Sequence, residues 1–164
     1  MNSFFSRLLL SVCLLSAFII PSASFATDLS ITSTSVVPSI NAIPRTAMAG
    51  VAISAGKLVY KSATDNKLYL SDCDSATAAV RDLVGIAVVS AAAGTNCLYI
   101  TEDPNLTIGA TVTNGTIYIL SATAGGIAPF ADGTTAWWIT PVAVGTSTTT
   151  VSFRAKGLRS GAAL

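Results

Sequence analysis

The chain carries one pattern of β-strands and turns twice, and this constrains its fold more than any other feature. Residues 56–64 and 115–123 align with Gly, Ser, Ala and Thr in register and with apolar residues opposite apolar residues. The match resumes downstream in two further pairs of segments, residues 86–90 with 142–146 and residues 98–100 with 151–153. Stacked repeats bury a shared core, so the pattern predicts two similar β units in one domain. The alternative to a true internal repeat is chance similarity between short segments rich in Ala, Thr and Gly.

Short runs of strand-forming residues alternate with Gly, Asn and Asp along residues 45–155. One segment differs, because residues 74–83 offer Asp74 as an N-cap and good helix formers before Gly85, and so predict a helix of about two turns. The predicted fold class is therefore all-β: a small barrel or sandwich built from two repeated β units, with one short helix. Strands are predicted at residues 46–53, 58–61, 67–71, 85–90, 97–101, 106–108, 116–120, 137–145 and 149–155.

Residues 1–26 have the organisation of a secretory signal peptide. Arg7 is the single charge, residues 8–20 form an apolar run, and small residues at Ser24 and Ala26 fit a cleavage site. We therefore expect cleavage after Ala26 and export to the periplasm, the cell surface or the medium.

Two membrane-attached alternatives are less favoured. The apolar run is shorter than the roughly 20 residues that span a bilayer, and the helix breaker Pro21 follows it. Cys13 lies inside the apolar run, whereas a lipoprotein needs a cysteine at the start of the mature chain. No stable membrane span is expected after cleavage.

The mature chain divides into three parts by composition. Residues 27–44 are rich in Ser and Thr, contain Pro38 and Pro44, and are predicted to form an extended N-terminal arm. Residues 45–155 form the predicted β domain. Residues 156–164 are predicted to be a flexible C-terminal tail.

Charge is scarce in this sequence. Charged residues make up 10% of the chain, against about 25% in an ordinary globular domain. The nine Lys and Arg residues exceed the eight Asp and Glu residues by one, and that excess leaves with Arg7. A near-neutral chain lacks the positive electrostatic potential that attracts nucleic acid or anionic lipid. Its surface also does little to oppose association with other copies of the chain. We therefore expect a homo-oligomer.

Two cysteines remain after processing, Cys73 and Cys97. Because exported proteins meet oxidising conditions, the sequence predicts a disulfide between them and no free thiol. Two separate buried thiols are the alternative.

No catalytic, cofactor or metal site is predicted. The sequence contains no histidine, which excludes Ser-His-Asp catalysis and zinc sites that need imidazole. Ser54 and Lys57 match an S-x-x-K string, but that chemistry needs a helix where Gly56 and the next residues predict a turn entering a strand.

Neighbouring carboxylates also have simpler explanations than a site. Asp72 and Asp74 lack the glycine and the final glutamate of a calcium loop, so helix capping by Asp74 is favoured. Glu102 and Asp103 are predicted to lie in a solvated turn rather than to form an acid/base pair.

Trp137 and Trp138 are the most conspicuous aromatic residues. Consecutive strand residues face opposite ways, so one indole is expected in the core and the other outside. An exposed Trp is a common interface anchor or sugar-stacking platform. The alternative is that the domain covers both rings.

From residue 52 to residue 155 the chain resembles a family of small phage capsid decoration, or cement, proteins. The resemblance rests on sequence segments that occur in the same order in that family. They are Ile53 to Tyr60, Lys67 to Asp72 with the alanine-rich helix after it, Val84 to Ala87, Ala91 to Gly94, and above all Thr116 to Pro129. It implies a compact β-barrel-like domain, often trimeric, that staples the subunits of an assembled shell without catalysis.

The predicted function is a non-enzymatic structural protein that self-associates and coats a capsid-like shell or surface assembly through its arm and a charge-poor face. The signal peptide indicates a module used beyond the membrane or a virion whose components cross the envelope. A secreted or cell-surface carbohydrate-binding or adhesin domain is the alternative.

Overall fold

A computed structural model describes residues 27–155, which form two five-stranded antiparallel sheets packed as a sandwich. Unit 1 supplies the first sheet, in the order β1-β5-β4-β2-β3, and unit 2 supplies the second, in the order β6-β10-β9-β7-β8. The strands of unit 1 are β1 (Pro44–Met48), β2 (Leu58–Lys61), β3 (Leu68–Leu70), β4 (Leu83–Ala87) and β5 (Asn96–Ile100). Those of unit 2 are β6 (Glu102–Thr107), β7 (Ile117–Leu120), β8 (Ile127–Pro129), β9 (Pro141–Gly145) and β10 (Thr150–Arg154). The sheets do not close into a barrel, so of the two predicted architectures the sandwich is confirmed.

The two units have the same topology, which confirms the predicted internal repeat. Each strand of unit 2 takes the place of the strand five positions earlier in the chain. Gly56 and Gly115 precede β2 and β7 with φ values of 86° and 78°, a left-handed conformation that glycine adopts without strain. The ladders shift register after Val59 in unit 1 and after Tyr118 in unit 2, at corresponding positions.

The predicted alignment is right for β2 and β7 but wrong in register for later strands. Ile86 pairs with Leu58, and Val144 pairs with Ile117. Ile86 therefore corresponds to Val144 and not to Val142. The pairing of Ala87 with Tyr99 and of Gly145 with Val151 likewise makes Tyr99 the counterpart of Val151.

The main core lies between the two sheets. It contains Phe153 and Leu120 from unit 2, together with Leu58, Ile86 and Ile100 from unit 1. A second, smaller cluster covers the other face of the first sheet. Its buried members are Ala49, Ile53, Val59, Leu68, Ala87, Cys97 and Tyr99.

The two sheets stack head to tail, by which we mean that they meet through non-corresponding faces. Equivalent residues of the two units therefore have different neighbours. Val59 lies in the second cluster, whereas its counterpart Tyr118 lies in the main core. Leu58 is buried in the main core, whereas its counterpart Ile117 is 44% exposed. The face of unit 1 that packs against unit 2 thus corresponds to the face of unit 2 that points away from unit 1.

The predicted elements differ from the observed ones mainly in the connections between strands of the sheets. The helix α1 (Ala78–Arg81) is a single turn, and its N-cap is Thr77 without a side-chain hydrogen bond, so the predicted capping by Asp74 is wrong. The Ser and Thr residues before it favour turns over helix. Strand β8 and the first half of β6 were not predicted, and Trp137 and Trp138 precede β9 rather than belonging to it.

The arm, residues 27–44, is docked on its own domain and contains one 3₁₀ turn, Ser33–Ser35. The Leu29 amide donates to the Ile127 carbonyl at 2.8 Å, and Val37 forms an isolated bridge with Thr107. Val36 is buried in the main core. The arm therefore runs from β8 to β6 and pairs with both edge strands of the second sheet.

Asp103 fastens the arm, which corrects the prediction of a solvated turn. Its side chain is fully buried in β6. The carboxylate accepts hydrogen bonds from the Ser39 amide at 2.7 Å, the Ser39 hydroxyl at 2.5 Å and the Asn105 amide at 2.9 Å. The neighbouring Glu102 instead pairs with Arg154 at the surface.

The predicted signal peptide, residues 1–26, and the predicted tail, residues 156–164, lie outside the described residues. Between residues 27 and 155, no helix has the length and apolar character needed to cross a membrane.

Candidate functional site

Cys73 and Cys97 are not joined in the structure, which corrects the predicted disulfide. Both are free and buried. Cys73 belongs to the main core and Cys97 to the second cluster, so they lie on opposite faces of the first sheet. The arrangement is the alternative of two separate buried thiols.

Burial suppresses the reactivity of both thiols. It raises the pKa of Cys73 to about 12, with further contributions from the carboxylates of Asp74 and Asp72. Burial also raises the pKa of Cys97. Since the thiolate is the reactive form, neither residue has the environment of a nucleophile.

We predict that the mature protein contains two free thiols that react only after unfolding. With a pKa of about 12, the thiolate fraction of Cys73 at pH 8 is on the order of 10⁻⁴. Mass spectrometry after iodoacetamide treatment without reductant should show two added groups on the denatured protein and almost none on the native protein. Labelling that requires a reductant would instead show that the disulfide forms.

The tryptophans divide as the sequence predicts, although they lie in a loop. Trp137 is partly buried and packs against the main core. Trp138 is 46% exposed, and its amide donates to the Cys73 carbonyl at 3.2 Å. This bond brings the loop before β9 next to the α1 excursion of unit 1.

Arg81 covers one face of the exposed indole. Its guanidinium carbon lies 4.2 Å from the centroid of the Trp138 ring, a cation–π contact. A sugar that stacked on Trp138 would have only the opposite ring face.

Exposed apolar side chains are also found on the arm, on the edge strand β1 and on β5. Within residues 27–155, β1 pairs with β5 alone in the first sheet, so its outer edge is open. Ten large apolar side chains are exposed in this part of the chain, and half of them lie on the arm, β1 or β5. We define the β1 edge surface as these five: Val37, Ile40, Ile43, Met48 and Leu98.

The β1 edge surface offers side chains rather than a free strand for pairing. Pro44 has no amide hydrogen and Arg45 is charged and exposed, and both features oppose addition of another strand. Ile40 is 99% exposed, so its side chain makes almost no contact with its own domain. Exposed apolar patches of this kind mark interaction sites.

The S-x-x-K string forms a turn, as predicted. The Lys57 amide donates to the Ser54 carbonyl at 3.3 Å, and Lys57 leads directly into β2. Ser54 and Lys57 line a small pocket beneath the arm together with Asp28, Gly125 and Gly126. The Oδ1 atom of Asp28 is buried, and the described residues give it no hydrogen-bond partner.

Metal ligands are not gathered anywhere between residues 27 and 155: no group of three or more Cys, Asp or Glu side chains is placed to hold an ion. Asp72 and Asp74 lie close enough to interact, and the pKa of Asp72 is raised by burial and by its hydrogen bond with Asp74.

Comparison of the chain with protein-family models, with curated proteins and with solved structures found no match.

Sequence reasoning pointed to the pair Trp137 and Trp138, without distinguishing which is exposed, and missed the β1 edge surface. Val37, Ile40 and Ile43 follow no strand or helix periodicity, so their exposure had no signal in the pattern. The available hint was that isoleucines occur in a segment otherwise rich in Ser, Thr and Pro.

Proposed function

We propose that the mature chain is a non-enzymatic structural module that acts after export, self-associates and coats a larger protein assembly. The observation that carries this proposal is the β1 edge surface on a chain with so few charges. Five exposed apolar side chains lie on the arm, on the edge strand β1 or on its partner β5, and association would remove them from water. The resemblance to capsid decoration proteins supports the same role.

The arm contributes to this role differently from the prediction. Its backbone is paired with its own domain, so we propose that it presents Val37, Ile40 and Ile43 on a fixed frame instead of reaching out to a neighbour. A fixed surface loses less conformational entropy when it binds.

A sugar-binding role is less well supported by the exposed tryptophan. Arg81 already occupies one face of Trp138, and Trp137 packs against the core. Both tryptophans remain candidates for the interface with an assembly partner, since exposed Trp and stacked Arg are frequent in such contacts.

We predict that Ile40→Glu dissociates the oligomer of the mature protein. Burying a charge in an apolar contact is costly, so the dissociation constant should rise at least about tenfold. Sedimentation velocity over a range of concentrations measures this. Ile40 has almost no internal contacts, so folding should be unaffected.

Ile117→Glu is the matched control, because Ile117 is also an exposed isoleucine but lies on the outer face of the second sheet. It should leave the oligomer intact. A wild-type protein that stays monomeric at all concentrations tested would contradict self-association, and equal effects of both substitutions would contradict the assignment to the β1 edge surface.

A further inference from the structure

The first described residue of the arm is held by a carboxylate of unit 2. The backbone nitrogen of Thr27 donates a hydrogen bond to Oδ2 of Asp132 at 3.2 Å. Asp132 ends a 3₁₀ turn, Phe130–Asp132, which directly follows β8. Two residues further along the arm, the Leu29 amide bonds to the Ile127 carbonyl of β8. The start of the arm is therefore attached to one region of unit 2 at two points.

The predicted signal-peptide cleavage falls at the bond that ends on this nitrogen. Hydrolysis of the peptide bond between Ala26 and Thr27 consumes one water, leaves a carboxylate on Ala26 and creates an α-ammonium group on Thr27. The nitrogen that now donates one hydrogen from a neutral amide then carries three hydrogens and a positive charge. At neutral pH most of this group is charged, because α-amino groups have a pKa of about 8.

We propose that Asp132 is the binding site for the α-ammonium group that cleavage creates on Thr27, so that processing fastens the arm to unit 2. The proposal depends on the predicted cleavage after Ala26 and is independent of the oligomeric role. A charged donor strengthens the existing hydrogen bond and adds an ion pair.

Of the neighbouring charged groups, Asp28 favours a positive charge on Thr27 and Lys57 opposes it. Asp28, the next residue, supplies a second carboxylate, and its Oδ1 is buried with no hydrogen-bond partner among residues 27–155. The side chain of Asp28 lies against Gly126, where an added Cβ would come within 2.4 Å of its Oδ2. Lys57 lines the same pocket as the opposing positive charge. Strand β8, which holds Leu29, has no titratable residue.

The test compares two forms of the full mature chain, both beginning at Thr27: one with a free α-amino group and one acetylated on that nitrogen. Hydrogen exchange of the Leu29 amide reports opening of the arm. The free amine should protect this amide about threefold more than the acetylated form, the range expected for an exposed ion pair. Asp132→Asn should remove the difference, and Asp74→Asn, an exposed carboxylate elsewhere, should preserve it.

Equal protection of Leu29 in the free and acetylated forms would overturn the proposal, as would a difference that persists in Asp132→Asn. The mass of the exported protein separately tests the cleavage: a chain that starts at Thr27 is expected, and any other start would remove the basis of the proposal. Neither measurement depends on the sedimentation result.

Discussion

Asp103→Ala should lower the free energy of unfolding by about 3 kcal/mol, because it leaves donors without an acceptor in a buried place. The carboxylate accepts three hydrogen bonds, two of them from Ser39 of the arm. Hydrogen bonds to charged groups contribute about 1.5–3 kcal/mol each, but the cost of removal is not additive because water can reach some of the freed donors. Denaturant titration followed by tryptophan fluorescence would measure the loss.

Two control variants test whether the loss of stability in Asp103→Ala comes from the buried hydrogen bonds to the arm or only from removing a charge near the surface. Ser39→Ala removes one hydroxyl donor and leaves the Asn105 amide bonded, so we expect a loss of about 1 kcal/mol. Glu102→Ala removes the neighbouring surface ion pair with Arg154 and should cost less than about 1 kcal/mol. If Asp103→Ala cost no more than Glu102→Ala, Asp103 would not anchor the arm.

Phe153→Ala should lower the free energy of unfolding by about 3–5 kcal/mol, the usual cost of removing a large buried aromatic side chain. Phe153 is 1% exposed and lies in the main core between the sheets. Because that core contains residues of both units, we expect calorimetry to show one transition at a lower temperature.

Leu68→Ala tests the same cooperativity from the other side. Leu68 is fully buried in the second cluster, away from the contact between the sheets, and its loss should cost about 2–5 kcal/mol. Both variants should shift a single transition. Two separate transitions in either variant would show that the units fold independently and that the main core does not couple them.

The sequence was sufficient for the architecture because the repeat and the turn residues are local signals. Gly56 and Gly115 occupy turns that need a positive φ, so a glycine is repeated at the same position before β2 and β7. Strand β8 escaped prediction because Ile127–Pro129 is short and ends in proline. The role of Asp103 escaped because its partner Ser39 lies far away in the chain, and no local pattern reports such a contact.

The misaligned register has a related cause. An alignment by hydrophobicity pairs Ile86 with Val142 because both are buried in the main core. Strand pairing instead makes Val144 the counterpart of Ile86. Since the units stack head to tail, matching positions do not have matching burial. The cysteines show a similar limit, because an oxidising compartment favours a disulfide only where the fold brings two thiols together.

Head-to-tail stacking also gives the two halves of the chain unequal freedom to change over generations. A polar replacement at Leu58, Ile86 or Ile100 would disrupt the main core. At the corresponding positions of unit 2, Ile117 and Ser152 are exposed and Val144 is only partly buried, so natural variation can introduce polar residues there. Sequence identity between the halves should therefore persist longest in the turns and be lost first along the strands.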